Sequence, residues 1–109
     1  MMDEQQFRKA AGDALTNLQR ALEKACENYD FDVDSNEGAL AIEFDDPPAK
    51  FVISPNSPVR QIWVSARVKS FKLDWDEAKN AFILPADGRT LQELIAGVVG
   101  EQLGEEVSL

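Results

Sequence analysis

The chain of 109 residues predicts an α+β fold. This is a two-layer sandwich in which an antiparallel sheet of about five to six strands carries an N-terminal and a C-terminal helix on one face. Three observations predict it. Apolar residues recur at three- and four-residue steps at both ends of the chain, the pattern switches to period two between them, and turn residues punctuate the middle at short intervals.

Phe7, Ala11, Ala14, Leu15, Leu18, Leu22 and Ala25 predict an amphipathic helix from Asp3 or Glu4 to Asn28, with Asp3 as N-cap. Asp30, Asp32 and Asp34 then alternate with Phe31 and Val33, so three carboxylates are expected along one face of a first strand. Ser35-Asn36-Glu37-Gly38 reads as a turn, and Leu40, Ile42 and Phe44 as the apolar face of a second strand. Asp45-Asp46-Pro47-Pro48 breaks the pattern before a third strand, Lys50 to Ser54. Ser54-Pro55-Asn56-Ser57-Pro58 is a turn-rich link into Gln61-Ile62-Trp63-Val64-Ser65. Phe71, Leu73 and Trp75 alternate with Lys72 and Asp74, and Ala81 to Leu84 is a last short strand. Asp87-Gly88 turns into the second helix, where Thr90-Leu91-Gln92-Glu93 reads as a capping box and Leu91, Leu94, Ile95 and Val98 form the buried stripe. Gly97 and Gly100 cost that helix about 1 kcal/mol each relative to alanine, which close packing against a neighbour would explain.

Within the fourth strand, Ile62 and Val64 form the core pair, and Trp63 shares the opposite face with Gln61 and Ser65. Alternation alone leaves two readings open: a docking surface, where tryptophan is enriched, or a second covering layer that makes Trp63 core. The helix–sheet–helix order favours the first. Both helices cover the Ile62/Val64 face, and nothing remains to cover the other.

The length suits a single domain over residues 1–109 that buries a core without disulfides. No run is long and apolar enough for a membrane span, and the N-terminus is neither a signal peptide nor a transit sequence. The chain is therefore expected to stay where it is made, unless a presequence has been removed. One cysteine, Cys26, fits a reducing compartment and a small apolar filler. With no histidine, zinc and copper sites and Ser-His or Cys-His nucleophiles are poor fits, leaving carboxylate oxygen for hard cations. The net charge of −9 is uneven. Residues 1–50 hold twelve acids and five bases, residues 51–84 three acids and five bases, and residues 85–109 five acids and one base. Such a field repels nucleic acid and anionic lipid and attracts cations or basic protein patches, though it also serves solubility.

Several stretches, in order, resemble the frataxin family. They are Asp30-Phe31-Asp32-Val33; Ile53 and a loop ending in Pro58; Gln61-Ile62-Trp63-Val64-Ser65; Phe71-Lys72-Leu73-Asp74-Trp75; Asp87-Gly88; and Leu91-Gln92-Glu93-Leu94-Ile95. The ending, Gly104-Glu105-Glu106-Val107-Ser108-Leu109, is similar to that of bacterial members. The resemblance implies a small, acidic, cytoplasmic, monomeric protein acting in iron–sulfur cluster assembly without being an enzyme. Its cargo or effector would be weakly bound iron, ferrous or ferric, with no organic cofactor. Its implied partners are a cysteine desulfurase, whose basic surface meets an acidic ridge, and an iron–sulfur scaffold protein, which meets the sheet face; nucleic acid and membrane are not among them.

Carried onto this chain, the acidic ridge comprises Glu23, Glu27, Asp30, Asp32 and Asp34, and the partner-binding face Asn56, Gln61, Trp63, Ser65 and Lys72. The ridge is thinned: Gln19, Arg20, Lys24, Cys26 and Asn28 stand where bacterial relatives carry a dense acidic run, and Ser54 replaces the asparagine before the loop. Arg20 and Lys24 sit three residues before Glu23 and Glu27, close enough to pair. Carboxylates spaced by about 6.6 Å along a strand share a cation only through water, so weak, exposed binding is expected. Two other readings stay open: a metal-independent interaction module whose acids meet a basic partner, and a ferroxidase. The second is disfavoured because no helix bundle carries a Glu-x-x-His pair for a di-iron centre.

Overall fold

The computed structural model describes residues 2–45 and 47–109; Asp46, part of the expected strand break, lies outside the described residues, as does Met1. Asp3 opens α1 (Glu4–Ala25) through a reciprocal cap. The Gln6 backbone N–H donates to Asp3 Oδ1 at 2.8 Å, and the Asp3 N–H donates to Gln6 Oε1 at 2.9 Å, satisfying two of the orphan donors of the first turn. The helix ends three residues before the expected Asn28. Its buried stripe stops at Ala25, and beyond it the Asn28 and Tyr29 N–H groups both turn back to the Ala25 carbonyl.

Six strands follow: β1 (Asp32–Asn36), β2 (Ala39–Asp45), β3 (Pro48–Asn56), β4 (Gln61–Ala66), β5 (Lys69–Asp76) and β6 (Ala81–Ile83). They form one antiparallel meander in chain order. α2 (Leu91–Leu103) closes the chain. Its cap is the expected one: Glu93 N–H donates to Thr90 Oγ1 at 3.3 Å, and Thr90 N–H donates to Glu93 Oε1 at 2.9 Å. That backbone donor holds the Glu93 carboxyl below its ordinary value, as the Arg89 N–H does for Asp87 in the preceding turn.

Several boundaries differ from expectation for local reasons. β1 begins at Asp32, not Asp30, because the Phe31 N–H is spent on the Tyr29 carbonyl at 3.1 Å. Ser35 and Asn36 stay in the strand, and the turn contracts to Glu37 and Gly38, with φ of 51° and 83°. Two positive φ values in a two-residue loop match the strand twist. β3 starts earlier, at Pro48, and runs on to Asn56. Pro55 is tolerated because the β2 ladder on β3 stops at Leu40–Ile53, leaving a local edge beyond it. The expected link shrinks to a single 3₁₀ turn, Ser57–Val59, followed by Arg60 in the left-handed region (φ 54°).

Both helices pack on the face carrying Leu40, Ile42, Phe44, Phe51, Ile53, Ile62, Val64 and Leu73, all buried. Phe7 of α1 meets Phe82 of β6 edge-on, with ring centroids 5.8 Å apart, and Phe44 and Phe51 lie 4.8 Å apart. At the far end of α2, half-hidden polar contacts replace apolar ones. Buried Gln102 donates to the Pro47 carbonyl at 3.0 Å and accepts from Arg67 Nη1 at 3.2 Å, tying α2 to two loops of the sheet.

Candidate functional site

The sheet leaves one face open, and the register decides what stands there. Gln61 lies opposite Asn56 and Asp74, Trp63 opposite Ser54 and Lys72, and Ser65 opposite Val52 and Ser70. Since Ile62 and Val64 are buried beneath the helices, alternation sends all of these to the other side. Asn56, Gln61, Trp63, Ser65 and Lys72 are therefore brought together on one surface.

Trp63 is 38% exposed. Its indole Nε1–H donates to Gln61 Oε1 at 2.9 Å, and Gln61 Nε2 in turn donates to Asp74 Oδ1 at 2.9 Å. The Lys72 ammonium sits 4.9 Å from the centre of the indole ring, within reach of a cation–π attraction worth about 0.5–1 kcal/mol at an exposed site. Asp74 was not among the residues that sequence reasoning selected. Period two places it beside Lys72, but its bond to Gln61 depends on the cross-strand register.

The acidic residues are arranged differently. Asp32 and Asp34 are exposed on β1. Asp34 pairs with Ala41, Ala41 with Val52 and Val52 with Ser65, so the two acids share the open face with Trp63, at its opposite edge. Glu43 faces Asp32 across the ladder and approaches Lys50 at 4.0 Å. Asp30 lies in the bend after α1, outside the strand, which corrects the expectation of three carboxylates on one strand face. Glu23 is exposed on α1 and Glu27 in the turn that follows it. Among the described residues, no three acidic or cysteine side chains converge to hold a metal ion. The ion pairs expected of Arg20 and Lys24 are also absent among the described residues. Those on α1 are Glu4–Arg8 at 2.7 Å and Lys9–Asp13 at 3.2 Å. Both of those pairs are spaced by four residues, whereas Arg20 and Glu23 are spaced by three, and Glu27 lies beyond the end of α1.

Among the described residues no helix is long and apolar enough to cross a membrane. Fold and face together define the class: a two-layer α+β domain with two helices behind a meander and a polar sheet surface bearing one pinned tryptophan. The family model described as a frataxin-like domain matches residues 1–105, and the chain belongs to that family. It is 38% identical over 95 residues to the iron-sulfur cluster assembly protein CyaY of Azotobacter vinelandii, covering 85% of this chain and 86% of that one. It is 32% identical over 108 residues to the protein of the same name from Dechloromonas aromatica, covering 99% of each. The solved frataxin of Psychromonas ingrahamii superposes with a TM-score of 0.83 over 98% of this chain and 97% of that one, at 20% identity, which is a likeness of fold.

Proposed function

We propose that this chain is a non-enzymatic, iron-responsive adaptor of iron–sulfur cluster assembly. It docks on a complex of cysteine desulfurase and scaffold protein through its open sheet face and its acidic edge. The relatives named for cluster assembly support the pathway. The observation that carries the docking reading is Trp63, a large aromatic held in one orientation on an uncovered surface. Such anchors dominate protein interfaces, because an apolar ring already fixed in place loses little freedom on binding.

The donor chemistry of Glu23, Glu27, Asp30, Asp32 and Asp34 suits a hard cation, but their separation does not supply the six or more oxygens of a closed shell. Iron would thus be cargo or effector, held by one or two carboxylates with water completing its coordination. The same dispersion favours a second reading, in which the acids recognise a basic partner surface without metal.

A ferrous titration followed by backbone amide signals separates the two. The adaptor reading expects shifts at Asp30 to Asp34 and at the end of α1, and iron-dependent capture of the desulfurase–scaffold complex. Silent spectra at millimolar iron, with capture unchanged by iron, leave the metal-independent module.

A further inference from the structure

Four outer-face side chains form a rectangle of two adjacent cross-strand pairs, Gln61 with Asp74 and Trp63 with Lys72. Chemistry fixes the order of the bonds within it. A carboxylate only accepts and an indole N–H only donates, so Gln61 satisfies both neighbours in one amide orientation alone. Its Nε2 must face Asp74, and its Oε1 must face Trp63. Reversing the amide would set oxygen against oxygen and N–H against N–H. Asp74 is half-buried, and so is Gln61. Bonds between partly desolvated groups with a charged acceptor are among the stronger hydrogen bonds of a protein surface.

We infer that Asp74 is a positioning residue for the docking face. Through Gln61 it locks the Trp63 indole in its outward orientation, leaving Lys72 to cover part of the ring and the remaining apolar surface to meet the partner. This rests on the reading of Trp63 as a docking residue. It has a consequence for the partner: the indole N–H is already satisfied within the chain, so the partner contributes apolar contact to the ring rather than an acceptor for its N–H. Without the lock, Trp63 would sample other rotamers and be ordered on binding, a cost of roughly two- to twelvefold in affinity.

The test compares Asp74→Ala with Asp74→Asn, which keeps an acceptor oxygen for Gln61 Nε2. For each variant the indole N–H signal of Trp63, assigned against Trp63→Phe, is followed by its heteronuclear NOE and its exchange with solvent. Affinity for the desulfurase–scaffold complex is measured in parallel, and thermal melting checks the fold. The expected result is a mobile, fast-exchanging indole and a severalfold loss of affinity in Asp74→Ala at a retained melting temperature, with both restored by Asp74→Asn. An indole as ordered in Asp74→Ala as in the parent overturns the positioning role. So does a mobile indole with parental affinity, provided Trp63→Ala itself binds weakly. If Trp63→Ala binds as tightly as the parent, the docking reading itself is wrong, whatever the indole does.

Discussion

Trp75 packs edge-on against Phe82, ring centroids 5.1 Å apart, at the border of the core. Trp63 stands on the open face, held by a hydrogen bond and a cation rather than by packing. Truncating each to alanine should separate the two roles in a denaturant melt. Trp75→Ala is expected to cost about 2–3 kcal/mol, since it removes a half-buried aromatic and leaves a gap beside Phe82. Trp63→Ala should cost less than about 1 kcal/mol, since it vacates solvent-facing space. Equal losses would place Trp63 in the core. The outward direction of Trp63 was legible in the sequence, because period two sets it opposite Ile62 and Val64 and the helix–sheet–helix order leaves that opposite face uncovered. The Asp74–Gln61 bond was not. It depends on the register of the β4–β5 hairpin, set by the two-residue loop Arg67-Val68 with Arg67 at φ 58°. An Arg-Val pair carries none of the Asn-Gly chemistry that announces such a turn.

The helices were readable because their apolar stripes and N-caps are local signals; their ends were less so. Glu27 and Asn28 donate to carbonyls three residues back, which tightens and ends α1, and Phe31 donates to Tyr29, which delays β1; no propensity encodes that exchange. The two glycines of α2 turn out to differ. A Cβ on Gly100 would lie 2.8 Å from the Glu105 carbonyl oxygen, a backbone atom of the returning tail, whereas one on Gly97 would lie 3.2 Å from Arg89 Nη1, the tip of a flexible side chain. Alanine adds up to about 1 kcal/mol of helix propensity at either position. At Gly97 that gain should prevail, and Gly97→Ala is expected to stabilise. At Gly100 the clash with backbone, typically about 1–3 kcal/mol for overpacking, should outweigh it and lift the tail that buries Val107. Paired thermal melts give the signs; stabilisation by Gly100→Ala would mean that the tail is not closely seated.

Across the whole molecule, the helices take one side of the sheet and leave the other uncovered. The charge asymmetry visible in the sequence acquires a direction only from the register, which carries the Asp32/Asp34 edge onto the same face as Trp63, three strands away. Acidic residues that read as one cluster along the chain are thereby dispersed, over α1, the following bend and β1. Of the acidic set, Asp32 and Asp34 share the open face with Trp63, at its margin, while Glu23 stands on α1, Glu27 in the turn after it and Asp30 in the bend. The deciding measurement is the map of backbone amide signals of the labelled protein on adding unlabelled desulfurase–scaffold complex. Docking through the open face predicts loss of signal at Asn56, Gln61, Trp63, Ser65 and Lys72, extending to Asp32 and Asp34, with the exposed side of α2 unaffected. Losses confined to the two helices, with β4 and β5 unchanged, would contradict it.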